Sequence, residues 1–316
     1  MRGVAAQLLI PLGFAGVLPA IAGSFNFETI TVPGVAAPVL TGINNSGQIS
    51  GYGGAGEVLA GFVLNSNGTV TTVFQPGSSE TKALGINDSA EVVGTYVDRG
   101  GSQAFAGSSS LLTPISVPGA TSTPQANGIN ASGDVVGSFD AGGSTHGFLD
   151  KSGAFTTIDV PGSTGTQALG INSAGQIVGI FTLGGVQQGF LESGGVFTPL
   201  DIPGALGTSP PGLGINDQGD IAGWYSSTAG AIGFLDIGGV LTTIAVPGAS
   251  QTYVLGLNNA DQMVGTYMDA QGFSHAFLAT PAAPVPEPQS ACLIVLGAAA
   301  TVLIRRRSFF SRRGSN

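Results

Sequence analysis

From residue 25 to residue 279, apolar and polar positions alternate in short runs broken by turns rich in glycine, asparagine and serine. No stretch sustains a 3.6-residue period. Residues 167–203 show the pattern in full. "QALGIN" predicts a short extended run and "NSAG" a turn, in which Asn172 can bond its own backbone and Gly175 can take a positive φ. "QIVGIF" is a β-branched, alternating strand, "TLGGVQ" a loop and "QGFLE" a third strand. After the tight turn "SGG", "VFTPLDI" makes a fourth strand that ends at Pro203-Gly204. Four short antiparallel strands in about forty residues predict one blade of a β-propeller.

The blade is repeated. The segment "GINSAGQIVG" from Gly170 has counterparts starting at Gly42, Gly85, Gly128, Gly214 and Gly256. In phase with it run a phenylalanine (Phe62, Phe105, Phe148, Phe190, Phe234, Phe277) and a Pro-Gly pair beginning at Pro33, Pro76, Pro118, Pro161, Pro203 and Pro247. The chain enters with "FNFETITVPG", which matches the fourth strand of a unit, and the last unit stops at His275–Ala279 without one. The expected fold is therefore all-β: a six-bladed β-propeller of four-stranded blades, closed by the N-terminal strand pairing into the last blade. A β-solenoid is the alternative, and it has no need of matching ends.

The two ends of the sequence lead to the expectation that this body is exported. Residues 1–22 read as a signal peptide: Arg2, an apolar run and an Ala20-Ile21-Ala22 cleavage site. Residues 23–279 hold the repeats, 280–289 a Pro-rich linker, and 290–316 a hydrophobic helix with a basic tail. Between residues 23 and 289 stand three basic residues (Lys82, Arg99, Lys151) against all eighteen acidic ones, a net charge of −15. Such a surface repels nucleic acid and anionic membranes. Cys292 is the only cysteine and lies in the tail, so no disulfide staples the domain.

Two resemblances follow. Pro286-Glu287-Pro288, the apolar run 291–304 and Arg305, Arg306 and Arg307 together resemble the PEP-CTERM sorting signal of Gram-negative bacteria. That resemblance implies processing by an exosortase, a membrane anchor through the C-terminal helix before processing, and display on the surface or in the matrix of an organism that makes exopolysaccharide. The units themselves resemble the extracellular HAF repeat, whose triplet is literal only at His275-Ala276-Phe277; the third unit has His146-Gly147-Phe148.

Candidate chemistry is sparse. His146 and His275 fall at equivalent positions of the third and sixth units, without a third ligand, so no metal site is expected. No cofactor is expected either; the acidic surface leaves structural calcium open. A Gly-x-Ser-x-Gly elbow is missing, and the single arginine Arg99 excludes a sialidase-type arginine cluster. Six positions after the motif glycine stand Gln48, Glu91, Asp134, Gln176, Asp220 and Gln262. Their three carboxylates support the alternative of an extracellular carbohydrate-active enzyme, a hydrolase or lyase. Eleven positions after it stand Tyr96, Phe139, Phe181, Tyr225 and Tyr267, read either as blade-to-blade packing or as sugar-stacking platforms beside the variable loops. The leading expectation is an exported, surface-sorted protein with a structural or polysaccharide-binding role in the extracellular matrix.

Overall fold

The computed structural model describes residues 25–56, 58–122, 124–206 and 213–282, and among them every regular element is a β-strand. The first is β1 (Phe25–Ile30). Then come β2 (Ala36–Ile43), β3 (Ile49–Ala55), β4 (Val58–Leu64) and β5 (Val70–Val73), and β6 (Glu80–Ile86), β7 (Val92–Asp98), β8 (Gly101–Ser108) and β9 (Leu111–Ile115). The third and fourth units are β10 (Gln125–Ile129), β11 (Val135–Ala141), β12 (Ser144–Lys151) and β13 (Ala154–Ile158), then β14 (Gly165–Ile171), β15 (Ile177–Leu183), β16 (Val186–Ser193) and β17 (Val196–Leu200). The fifth is β18 (Leu213–Ile215), β19 (Ile221–Ser227), β20 (Gly230–Ile237) and β21 (Val240–Ile244). The chain closes with β22 (Gln251–Leu257), β23 (Met263–Met268) and β24 (Ser274–Pro281).

Each unit is an antiparallel meander, and the sixth takes its outer strand from the other end of the chain. β1 pairs with β24 over six positions, from Phe25↔Pro281 to Ile30↔Ala276. β24 thus runs two residues past the boundary expected at Ala279, because Phe25 and Asn26 reach back to pair with Pro281 and Thr280. The pairings give four sheets where the repeats alone suggest six. Single parallel bridges, Leu59↔Glu80 and Thr145↔Gly165, fuse the first unit to the second and the third to the fourth.

The repeated phenylalanines form the core. All six are no more than 2% exposed, and burial of such a ring stabilises by about 1.5–3 kcal/mol. Each lies across from a glycine of the neighbouring strand, for example Gly137↔Phe148 and Gly179↔Phe190. A Cβ at Gly137 would sit 2.7 Å from the Phe148 ring and collide with the Gln125 carbonyl. The space this glycine leaves is therefore filled from its own sheet. The motif glycine that opens each repeat is the one that meets the next unit: a Cβ at Gly42 would lie 3.4 Å from Gly85 Cα, and one at Gly256 only 2.8 Å from Gly42 Cα. Just before that glycine the first strand carries a β-bulge in five units, for instance between Ala83 and Gly85.

Candidate functional site

The motif asparagines build the centre of the molecule. Asn44, Asn87, Asn130, Asn172, Asn216 and Asn258 are all buried. In each turn the side-chain oxygen accepts a backbone N–H four residues on, as Gln176 N to Asn172 Oδ1 at 2.9 Å. That much is the expected turn role. The side-chain nitrogen does more. It donates to the next unit's asparagine carbonyl: Asn44 to Asn87 (3.0 Å), Asn87 to Asn130 (3.1 Å), Asn130 to Asn172 (3.3 Å), Asn172 to Asn216 (3.0 Å) and Asn216 to Asn258 (3.4 Å). Asn258 donates back to Asn44 at 3.1 Å. Two elements 214 residues apart are joined by the same bond that joins neighbours.

All six units also line two inner cavities, which share a collar of Ile43, Ile86, Ile129, Ile171, Ile215 and Leu257. On the turn side the mouth is polar: Asn45, Asp88, Ser173, Asp217 and Asn259 surround it. Asp217 is pushed up by burial, but hydrogen bonds from Asn259 and Ser173 outweigh this and hold its carboxyl below the usual range. Beyond the collar, the bulged residues Thr41, Leu84, Asn127, Leu169 and Leu255 line the second cavity. Thr41 and Asn127 each bond the next unit's backbone, at Ala83 O and Ala168 O (both 2.9 Å).

The expected carboxylates are absorbed into this frame. Glu91, Asp134 and Asp220 each accept from their own unit's asparagine, at 2.8, 3.2 and 3.0 Å. The three do not gather at one point. Asp220 instead has Asp261 of the next unit beside it, both accepting from Asn216 Nδ2. Burial, then the Asp220 charge, raises the Asp261 pKa against the bond from Asn216.

Burial separates the five aromatics read as packing residues or platforms. Tyr96, Phe139 and Phe181 are only 4, 7 and 3% exposed and offer no face to a ligand. All five rings tilt against their own unit's core phenylalanine at 6.2–6.5 Å. Burial, then Asp98, raises the Tyr96 pKa. Tyr225 and Tyr267 are half-buried. Tyr267 is stacked on His275 at 5.0 Å, and its hydroxyl meets Thr29 Oγ1 at 2.9 Å. These ring contacts lie within each unit, where packing from blade to blade was the expectation.

The two histidines pair with separate aspartates, His146 with Asp159 and His275 with Asp269, each at 2.9 Å. Among the described residues no group of three or more His, Cys, Asp or Glu could hold a metal, and no helix is long and apolar enough to cross a membrane. The cleavage residues Ala20 and Ala22, the motif Pro286, Glu287 and Pro288, and Arg305, Arg306 and Arg307 lie outside the described residues.

The sequence reading missed one surface feature. Ten positions after the motif glycine, β19 carries Trp224, which meets Tyr253 of β22 edge to face with ring centres 4.7 Å apart. In the first unit the same position holds Tyr52, with the Lys82 ammonium 5.5 Å above its ring.

No protein-family model matches the chain, and no curated protein does. Solved structures do. TolB from Acinetobacter baumannii superposes with a TM-score of 0.52 at 10% identity, over 78% of this chain and 64% of that one. A putative TolB from Agrobacterium tumefaciens gives 0.51 at 13%, over 82% and 91%. The fold is a β-propeller. A streptogramin B lyase is also similar, with a TM-score of 0.48 at 15% identity over 80% and 87%. At these identities the likeness concerns the propeller fold alone.

Proposed function

We propose that the chain is an exported propeller of six four-stranded blades, closed by β1 on β24, with a structural or binding role in an extracellular polysaccharide matrix. One observation carries the reading: the asparagine circuit that runs from Asn44 through every unit and returns from Asn258. An open solenoid would leave Asn258 and β24 facing solvent. The circuit also occupies Glu91, Asp134 and Asp220, the carboxylates on which catalysis would draw. The tripartite tail supports sorting by an exosortase-type protein, and the −15 charge of residues 23–289 supports a neutral or cationic partner over nucleic acid.

The test is the intact mass and the location of the mature protein in an exopolysaccharide-producing Gram-negative host. Loss of residues 1–22 and of the tail beyond Pro288, with recovery from the cell surface or matrix, is expected. A full-length cytoplasmic product overturns the proposal.

The Asp220–Asp261 pair favours a second reading, a carbohydrate hydrolase or lyase in which Asp261, its pKa raised by burial and by the Asp220 charge, is the acid. Release of reducing sugar from host polysaccharide, abolished in Asp261→Asn, would establish it. Binding without turnover establishes the first.

A further inference from the structure

We infer that the corner formed by Trp224, Tyr253 and Gln251, between the fifth and sixth units, binds neutral polysaccharide. The inference rests on the matrix reading above and gives it a site.

Three features make the corner. Trp224 and Tyr253 are both half-buried, so each is anchored in the protein and still reachable from solvent. They meet at an interplanar angle of 82°, giving two walls instead of one flat plate. The Tyr253 hydroxyl donates to Gln251 Oε1, which fixes the phenol and orients the amide. Among the described residues the amide nitrogen of Gln251 has no hydrogen-bond partner, so it can donate to a ligand.

The floor is set by Gly230, whose φ of 111° lets the β19–β20 hairpin come close to Gln251. A Cβ there would lie 3.3 Å from Gln251 Cγ. Ser227 locks the hairpin by donating to Gly230 O and accepting from Ala229 N, so the corner is preorganised.

Rigid aromatic walls with one oriented amide suit a pyranose ring, whose apolar C–H face packs on an arene while its hydroxyls seek donors. An anionic occupant is disfavoured because residues 23–289 carry −15, and the two lysines there are engaged elsewhere, Lys82 with Glu80 and the Tyr52 ring and Lys151 with Asp134. Other units lack the corner: Thr95, Ser138, Ile180 and Thr266 replace the indole, and Lys82 already covers Tyr52.

Trp224 is the only tryptophan of the chain, so its fluorescence reports on this site alone. The full-length protein is titrated with neutral gluco-oligosaccharides and, separately, with oligogalacturonate. A saturable emission change with the neutral series only is expected. Gln251→Ala, which removes the outward donor, and Tyr253→Phe, which removes the bond that orients it, should each weaken it by about ten-fold. Co-sedimentation with insoluble neutral glucan is measured in parallel, and circular dichroism confirms that both variants fold. Co-sedimentation with unmoved emission and variants that bind like the parent overturns the corner and leaves the matrix reading standing. Absence of both signals overturns both. An equal response to oligogalacturonate overturns the neutral specificity.

Discussion

Asn172 shows how much one side chain carries here. It satisfies Gln176 N and Gln176 Oε1 within its turn and Asn216 O across the blade boundary. Asn172→Ala leaves buried backbone groups without partners, at a cost of about 1–3 kcal/mol. The urea midpoint should fall accordingly. The turn role was legible in the sequence because it is a matter of local chemistry. The bond to the next unit was not, since it depends on how two blades face each other. Glycines divide by the same logic. Gly94→Ala drives a Cβ into the Lys82 carbonyl and should destabilise by at least about 3 kcal/mol, whereas Gly54→Ala meets its nearest atom at an ordinary 3.4 Å and should be near neutral. Thermal melts of the two variants check the contrast. His146 gives a pH signature. Its hydrogen bond with Asp159 is the main cause that raises its pKa, against the opposing effect of burial. A raised folded value means that the pair stabilises fully below about pH 6.5 and loses its contribution as the pH climbs through the folded value. His146→Gln should remove that slope, a difference below about 1 kcal/mol at this exposed pair, measured by denaturation at pH 5.5 and pH 8.

At the scale of strands, the six meanders and the outsourced outer strand could be read from phase alone. "FNFETITVPG" resembles the fourth strand of other units, and the structure places it as β1 on β24. The bulges escaped detection. "ALGI" and "TGIN" read as unbroken extended runs, and only the shift of partner from Ala83 to Gly85 shows Leu84 set apart. The aromatic positions show a related limit: strand alternation puts Tyr96 on one face with Val92 and Gly94, and Phe139 with Val135 and Gly137, but does not say that a core phenylalanine of the same unit lies against each ring. Trp224 and Tyr253 lie about thirty residues apart on different units, and nothing local announces their meeting. An element-scale prediction follows from β1. Removing residues 25–30 leaves β24 with an open edge of six unpaired positions. The shortened protein should lose its single cooperative transition and aggregate, as seen by light scattering during a thermal ramp.

At the scale of the molecule, residues 25–282 contain no cysteine, so no disulfide cross-links them. Asn26 and Thr280 face each other across the β1–β24 ladder. A disulfide in the Asn26→Cys, Thr280→Cys variant would enclose nearly the entire body and add up to about 5 kcal/mol in the chain-entropy limit. Comparing urea midpoints under oxidising and reducing conditions tests it. The same ladder brings the outer ends of β1 and β24 side by side, at Phe25 and Pro281. A body held from beyond Pro281 and dragged by flowing gel would be loaded at that end pair first. The six pairs would then peel in sequence instead of shearing together. Mechanical failure would begin at this seam, and the remaining blades would stay intact to re-form around it when the pull relaxes.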